Sequence, residues 1–261
     1  MDLFDTHAHL DDDQLAPDVA RVVERAAAAG VTSILAVGTT AQSSRNCLAY
    51  ARRFSGVWSS SGIHPNHAAE AQPGNWDEIV RLSGEERVVA LGETGLDLYW
   101  KDTPLTVQQD YFDRHIRLSQ STSLPFIVHL RETANEILAM LREARQRGPL
   151  GGVMHSFTGT AEQATEFLDL GMHISFAGMV TFKKSDDLRA VAAKIRADRI
   201  LVETDSPYLV PQPLRAKRNE PLFVKHVAEK LAEIRGMSFE EIAQDTTANA
   251  VRLFGLGEDT P

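Results

Sequence analysis

The chain has 261 residues, 43% hydrophobic and 24% charged, the composition of a soluble globular protein with room for a large core. Its 36 acidic side chains outnumber 27 basic ones, giving a net charge of −9; this excludes a protein that coats nucleic acid through a uniformly basic surface, and leaves room for a carboxylate-lined cation site. The lone cysteine, Cys47, excludes an internal disulfide, and with no leader-like start and no apolar run near the ~18 residues of a membrane span, the expected setting is cytoplasmic and free of membrane.

Taken in chain order, short apolar runs rich in β-branched residues alternate with helical patterns. Strands are expected over 3–6, 33–37, 58–62, 88–92, 126–128, 152–154, 173–176 and 200–203. They are mostly apolar on both faces and bounded by Gly, Pro or polar residues, as strands of a parallel sheet covered on both sides are. Helices are expected between them over 17–29, 41–53, 104–119, 133–145, 161–168 and 188–197. Thr103 reads as an N-cap ahead of Pro104, and Gly30, Gly148 and Gly171 fall where helices should stop. Two further helices close the chain, one from near Pro221 and one from Ser238, where Ser238 and Glu241 form a capping box. Eight strand–helix units with no repeat or linker predict an α/β fold, a TIM-type (β/α)₈ barrel spanning 1–261 as one domain. The rival open doubly wound sheet would carry a Gly-rich phosphate turn after its first strand, where Thr6-His7-Ala8-His9 stands instead.

The chemistry-bearing residues sit at the strand ends. His7 and His9 end the first strand, Glu93 the fourth, His129 the fifth, His155 the sixth and Asp205 the eighth. All C-terminal strand ends of a barrel meet around one mouth, where the active sites of this architecture lie. Residues two apart on an extended segment point the same way, so both imidazoles of His7-Ala8-His9 can face the axis. Imidazoles with carboxylates suit Zn²⁺ or Mn²⁺ and also admit Mg²⁺; such ions acidify bound water and polarise the bond under attack. Each motif alone has an ordinary structural explanation, but five strand ends supplying metal-capable side chains and no aliphatic substitute do not. Glu203, two before Asp205, faces the same way and reads as an outer carboxylate that orients a ligand or the attacking water. His64 in Gly62-Ile63-His64-Pro65 joins the mouth as a substrate contact or acid, or as a plain loop histidine.

Phe4-Asp5-Thr6-His7-Ala8-His9-Leu10, Gly92-Glu93-Thr94-Gly95-Leu96-Asp97, His155-Ser156-Phe157-Thr158-Gly159 and Glu203-Thr204-Asp205-Ser206-Pro207-Tyr208 resemble the signatures of the TatD family of metal-dependent deoxyribonucleases. Lys217-Arg218-Asn219-Glu220-Pro221 and the stretch from Asn249 to Phe254 fit the same family, so the resemblance runs in order over nearly the whole chain. It implies an amidohydrolase-like barrel with two divalent metal ions, one on His7, His9 and Asp205, the other on His129 and His155, with Glu93 between them. It also implies trimming of single-stranded DNA from the 3′ end. One departure is Ala216, where the family commonly has glycine, and it leaves the geometry of that loop open.

The rim itself carries Lys101, Arg131, Lys183, Lys184, Arg215, Lys217 and Arg218 among Tyr99, Trp100 and Tyr208, a mixture of cations and aromatics suited to single-stranded nucleic acid. Arg131, Lys217 and Arg218 are the expected substrate contacts, and Asp205 or Glu203, with Glu93 and His64, the expected catalytic groups. The expected substrate is single-stranded DNA, with RNA as a second candidate. The alternative is a metal-dependent amide or ester hydrolase such as an aminoacyl-tRNA deacylase. Glu93 stands where a carbamylated lysine would bridge the metals of a cyclic-amide hydrolase, which tilts away from that class. No heptad or symmetric pattern separates a monomer from a small homo-oligomer.

Overall fold

The computed structural model describes residues 2–214 and 217–257, so the expectations placed on Arg215 and Ala216 lie outside the described residues. Eight parallel strands follow one another in sequence order around a sheet: β1 (Leu3–Ala8), β2 (Val31–Ala36), β3 (Val57–Ser61), β4 (Val88–Asp97), β5 (Phe126–Arg131), β6 (Gly152–Met154), β7 (Met172–Phe176) and β8 (Ile200–Val202). The intervening helices are α1 (Val19–Ala28), α2 (Ala41–Arg53), α3 (Asn75–Leu82), α4 (Leu105–Thr122), α5 (Ala134–Arg147), α6 (Ala161–Asp169) and α7 (Asp186–Ala192). The closing pair is α8 (Val224–Arg235) and α9 (Phe239–Leu253). The ring closes just beyond β8, where the Asp205 N–H donates to the His7 carbonyl at 2.9 Å and the His9 N–H to the Ser206 carbonyl at 2.8 Å. This is the expected (β/α)₈ barrel.

Burial on both faces explains the apolar strands. One face meets the helices: α1, for example, buries Val19, Val22 and Ala26, a stripe at helical spacing. The other face fills the barrel itself, where Phe4, Leu35, Ile127, Val153 and Leu201 pack on one another. Ala250 and Phe254 from the end of α9 join this inner cluster, Phe254 against Phe4 at 5.7 Å between ring centroids, and so close the lower end of the barrel.

Several bounds depart from those expected, among them β1, which runs to Ala8, β5, which runs to Arg131, and α7, which stops at Ala192; three departures have a visible cause. β4 runs on to Asp97 instead of stopping at Gly92, because Thr94, Gly95, Leu96 and Asp97 continue the ladder with β5. α4 starts at Leu105 with Pro104 as its N-cap; the Thr103 hydroxyl, free of that duty, donates to the Asn66 carbonyl at 3.0 Å. A helix absent from the reading, α3, follows Gly74, whose φ of +88° breaks the chain direction ahead of it. The capping box of Ser238 with Glu241 is present, and Thr160 forms a second one with Gln163.

Candidate metal centre

Backbone irregularities aim the side chains. Phe4 points into the barrel, so unbroken alternation along β1 would turn His7 outward. Between Asp5 and Ala8, however, β1 spends three steps against two on β2, and the bulge turns the His7 ring to the mouth. β4 does the same against β5 between Leu91 and Thr94, the stretch that holds Glu93. His129, His155 and Glu203 need no such device, since Ile127, Val153 and Leu201, two residues before them, already face inward; Asp205, beyond the end of β8, is aimed by a left-handed backbone at φ +55°.

The six residues expected at the mouth do meet there, around Glu93. Its Oε1 lies 2.9 Å from His129 Nδ1, 3.0 Å from His155 Nε2 and 3.4 Å from His64 Nε2; its Oε2 lies 3.4 Å from His7 Nε2 and 3.7 Å from His9 Nε2. Asp205 Oδ1 is 3.7 and 3.3 Å from the same His7 and His9 nitrogens, which are themselves 3.2 Å apart. Three overlapping sets result, His7–His9–Asp205, His7–Glu93–His155 and His64–Glu93–His129, each with its donor atoms within 4.8 Å of one another. Two nitrogens bound to one ion through bonds of about 2.1 Å lie about 3.0–3.4 Å apart, the spacing of the facing His7 and His9 Nε2 atoms. The donor set therefore fits a divalent cation.

Outer partners fix the ring orientations. His155 Nδ1 faces Glu203 Oε1 at 3.2 Å, and the same oxygen accepts the Ser156 N–H at 2.6 Å. His129 Nε2 faces Asp97 Oδ2 at 2.9 Å. Asp97 was not singled out in the sequence, although Glu93, Gly95 and Asp97 share a strand face at i, i+2 and i+4. Gly95 is required there: at φ +128° a Cβ would sit 2.2 Å from the His129 carbonyl oxygen. Asp5 was likewise missed; its buried carboxylate accepts from Thr204 N at 2.8 Å, Thr204 Oγ1 at 2.6 Å and His7 N at 3.3 Å, tying both ligand-bearing ends of the ring together. Burial pushes the Asp5 carboxyl up to about 8 despite those bonds. His64 behaves differently from the others: its Nδ1 accepts the Asn66 N–H at 3.1 Å, so the neutral ring carries its proton on Nε2 and points a donor at Glu93.

Burial disfavours every charge in this cluster, and pairing decides which survive. It pushes the Glu93 carboxyl up, but His155, His64 and His7 hold it well below the usual range. Asp205 is likewise held low against burial, by its hydrogen bond with His9 and by His155 and His7. Burial pulls His9 down, yet Asp205 and Glu93 raise it to about 9. His155 is raised against burial by Glu93 and Glu203, and His129 by Asp97 and Glu93. In His7 and His64 burial wins and both are lowered, His64 to about 4. Protons on His9, His129 and His155 thus balance the carboxylates, and a cation entering the site must displace them.

The cluster floors a cleft of about 920 Å³. Asp11, Asp12, Asp13 and Tyr208 line it on the side of β1, and Trp100 and Arg131 on the side of β4 and β5. Arg131 reaches the cleft, but Lys217 and Arg218 do not line it. Arg218 instead pairs with Asp18 at 2.9 Å and Glu220 at 2.6 Å and also donates to the Gln14 carbonyl, an ion-pair network that sequence spacing could not reveal.

The model of the family described as "TatD related DNase" matches residues 4–255. The chain belongs to that family. Among its relatives, "Uncharacterized metal-dependent hydrolase YabD" of Bacillus subtilis is 41% identical over 97% of this chain and 99% of its own. "3'-5' ssDNA/RNA exonuclease TatD" of Cronobacter sakazakii is 35% identical over 97% of each chain. Of solved structures, the TatD homologue YjjV from Escherichia coli superposes with a TM-score of 0.92 at 30% identity, over 98% of both chains. For this TatD-family chain the barrel and the family drawn from its motifs both hold. Among the described residues no helix is long and apolar enough to cross a membrane.

Proposed function

We propose that this chain is a metal-dependent nuclease that removes nucleotides from the 3′ end of single-stranded DNA or RNA, with two divalent ions, Zn²⁺, Mg²⁺ or Mn²⁺, held around Glu93. The observation that carries the reading is the convergence of three donor sets on that one carboxylate, at the floor of a cleft open to a polymer. Its relative of 35% identity, named as a 3′-5′ exonuclease of single-stranded DNA and RNA, supports the substrate class. His7, His9 and Asp205 would hold one ion, His129 and His155 the other, and Glu93 both. Bound there, the ions supply an acidified water and a Lewis acid for the phosphoryl oxygen.

The chain's own residues do the rest. Once a cation has displaced the second proton of each ring, Glu203 would hold the remaining proton of His155 on Nδ1 and Asp97 that of His129 on Nε2, leaving each ring a bare nitrogen toward Glu93. Of the two carboxylates after β8, only Asp205 lines the cleft, and it stays ionised; it is the acceptor for the proton of the attacking water, while Glu203 positions. His64 offers its Nε2–H as a donor to a phosphoryl oxygen, and Arg131 the cation for a flanking phosphate. Lys217 remains a candidate contact for more distant phosphates, whereas Arg218 is committed to Asp18 and Glu220.

The test is direct. Metal-stripped protein is supplied with Mg²⁺, Mn²⁺ or Zn²⁺ and offered 5′-labelled single-stranded DNA, RNA and an aminoacyl ester. A ladder receding from the 3′ end, lost by at least about 100-fold in Glu93→Gln, is the expected result. Intact nucleic acid with ester turnover under every metal overturns it in favour of the amide or ester hydrolase.

A further inference from the structure

Large hydrophobic side chains are exposed at five places among the described residues, and four of them, Leu98, Tyr99, Trp100 and Tyr208, stand in the loops after β4 and β8. Trp100 is half exposed and lines the cleft beside Arg131. Leaving an indole face in water forgoes the gain of burying it, so an aromatic lip concentrated at the one catalytic mouth points to a flat, apolar partner.

The lip is also tied down by hydrogen bonds and ring contacts. One oxygen of Asp97, Oδ1, accepts both the Tyr99 and Trp100 N–H groups, at 2.8 and 2.9 Å, while Oδ2 engages His129. The Leu98 N–H donates to the Arg131 carbonyl at 3.1 Å, and the Arg131 guanidinium lies over the Tyr99 ring at 3.8 Å from its centroid. Tyr99 meets Trp100 edge to face at 5.0 Å. Tyr99 is therefore covered on one face by a cation, Trp100 is braced by Tyr99, and the whole turn is fastened to a histidine of the metal cluster. Arg131 forms no ion pair among the described residues, so its N–H groups stay available to a phosphate. The opposite wall carries Asp11, Asp12 and Asp13, which repel phosphate and push a polyanion toward the Arg131 side.

We infer that Trp100, braced by Tyr99 and Arg131, is a nucleobase-stacking subsite for the strand flanking the bond to be cut, with Arg131 taking the neighbouring phosphate. The assignment rests on the nuclease reading above and adds to it a residue that grips base rather than backbone. A stacking face accepts any base and ignores the sugar, so DNA and RNA should use it alike.

The experiment measures binding and turnover with wild type, Trp100→Ala, Trp100→Phe and Tyr99→Ala. The binding probe is a cleavage-resistant phosphorothioate strand carrying 2-aminopurine, whose fluorescence is quenched on stacking; turnover uses ordinary DNA and RNA strands, with or without abasic positions near the 3′ end. Stacking on an aromatic is worth enough per base that Trp100→Ala should weaken binding and raise KM roughly tenfold, on DNA and RNA equally, and abolish the quench. Trp100→Phe should restore most of it, and an abasic strand should not sense the substitution. Unchanged affinity in Trp100→Ala, an equal loss on abasic strands, or a loss confined to one sugar overturns the subsite. If wild type neither binds nor cuts any strand, the nuclease reading fails first; if it cuts and Trp100→Ala cuts equally well, only the subsite fails.

Discussion

Asp97→Asn tests whether an outer carboxylate sets the chemistry of the centre. Asp97 satisfies three donors with two oxygens: Oδ1 takes the Tyr99 and Trp100 N–H groups at 2.8 and 2.9 Å, and Oδ2 faces His129 Nε2 at 2.9 Å. Asparagine offers one acceptor and one donor. Keeping the acceptor at the turn satisfies two N–H groups, so the amide NH₂ turns on His129. That ring must then accept at Nε2 and carry its proton on Nδ1, the nitrogen 2.9 Å from Glu93 Oε1 that ligation needs bare. A hydrogen bond to a charged group is worth about 1.5–3 kcal/mol, or about 10- to 150-fold in an equilibrium constant, which overlaps the effect of removing an outer partner from a metal-bound histidine. We expect metal affinity about 30-fold weaker on this scale, together with a lowered thermal midpoint of the metal-free protein from loss of the buried Asp97–His129 pair. Competition titration of stripped protein against a chromogenic chelator measures it. Affinity within threefold of wild type would show that His129 does not bind metal through Nδ1.

Three further outcomes are expected. His9 is raised from 6.5 to about 9 when metal-free, so its stabilising proton is fully present below the lower value and lost as pH rises through the upper one; a cation displaces that proton. The gain in Tm on adding metal should therefore grow between those values, and a flat or shrinking gain by differential scanning fluorimetry would contradict the assignment. His115 is fully buried, its Nδ1 on the Tyr111 carbonyl and its Nε2 accepting the Ile63 N–H, and burial lowers it to about 4. Its neutral form supports the fold above the ordinary 6.5, and that support drains as pH falls toward the folded value, reaching about 3 kcal/mol in all; urea denaturation at a series of pH values should show the loss in wild type and a smaller one in His115→Gln. Finally, Arg218→Ala should leave KM and its salt dependence unchanged and lower Tm instead, because the guanidinium is held by Asp18 and Glu220; a raised KM with a flatter salt dependence would return it to the substrate path.

What the sequence disclosed follows from periodicity and strand-end chemistry. β6 and α2 have the expected bounds because their neighbours, Gly151 and Thr40, punctuate sharply; Thr40 caps α2 by accepting the Ser43 N–H at 3.0 Å. β4 outran its expected end because Glu93, Thr94 and Asp97 look like loop residues until partners inside the mouth are known. His7 and His9 were rightly grouped by their spacing, yet a bulge, invisible in the letters, is what turns them inward. Asp97 and Asp5 were overlooked because their work is done on the neighbouring strand or its extension, distant in sequence, on His129 and on Thr204. Arg218 was overvalued for the converse reason: a cation near a mouth looks free until Asp18, 200 positions away, is found beside it.

The packing of Phe254 beneath Phe4 has a consequence for traffic. With the barrel filled by Phe4, Leu35, Ile127, Val153 and Leu201 and Phe254 beneath them, the cleft above the metal cluster is blind at its floor among the described residues. Nothing that enters can be threaded through and discharged below, so substrate, water and product share one entrance. For a polymer shortened from its end, each released nucleotide must leave past the strand that waits to follow it. Departure and advance are thus competing uses of the same opening, and the residues that line the doorway govern both.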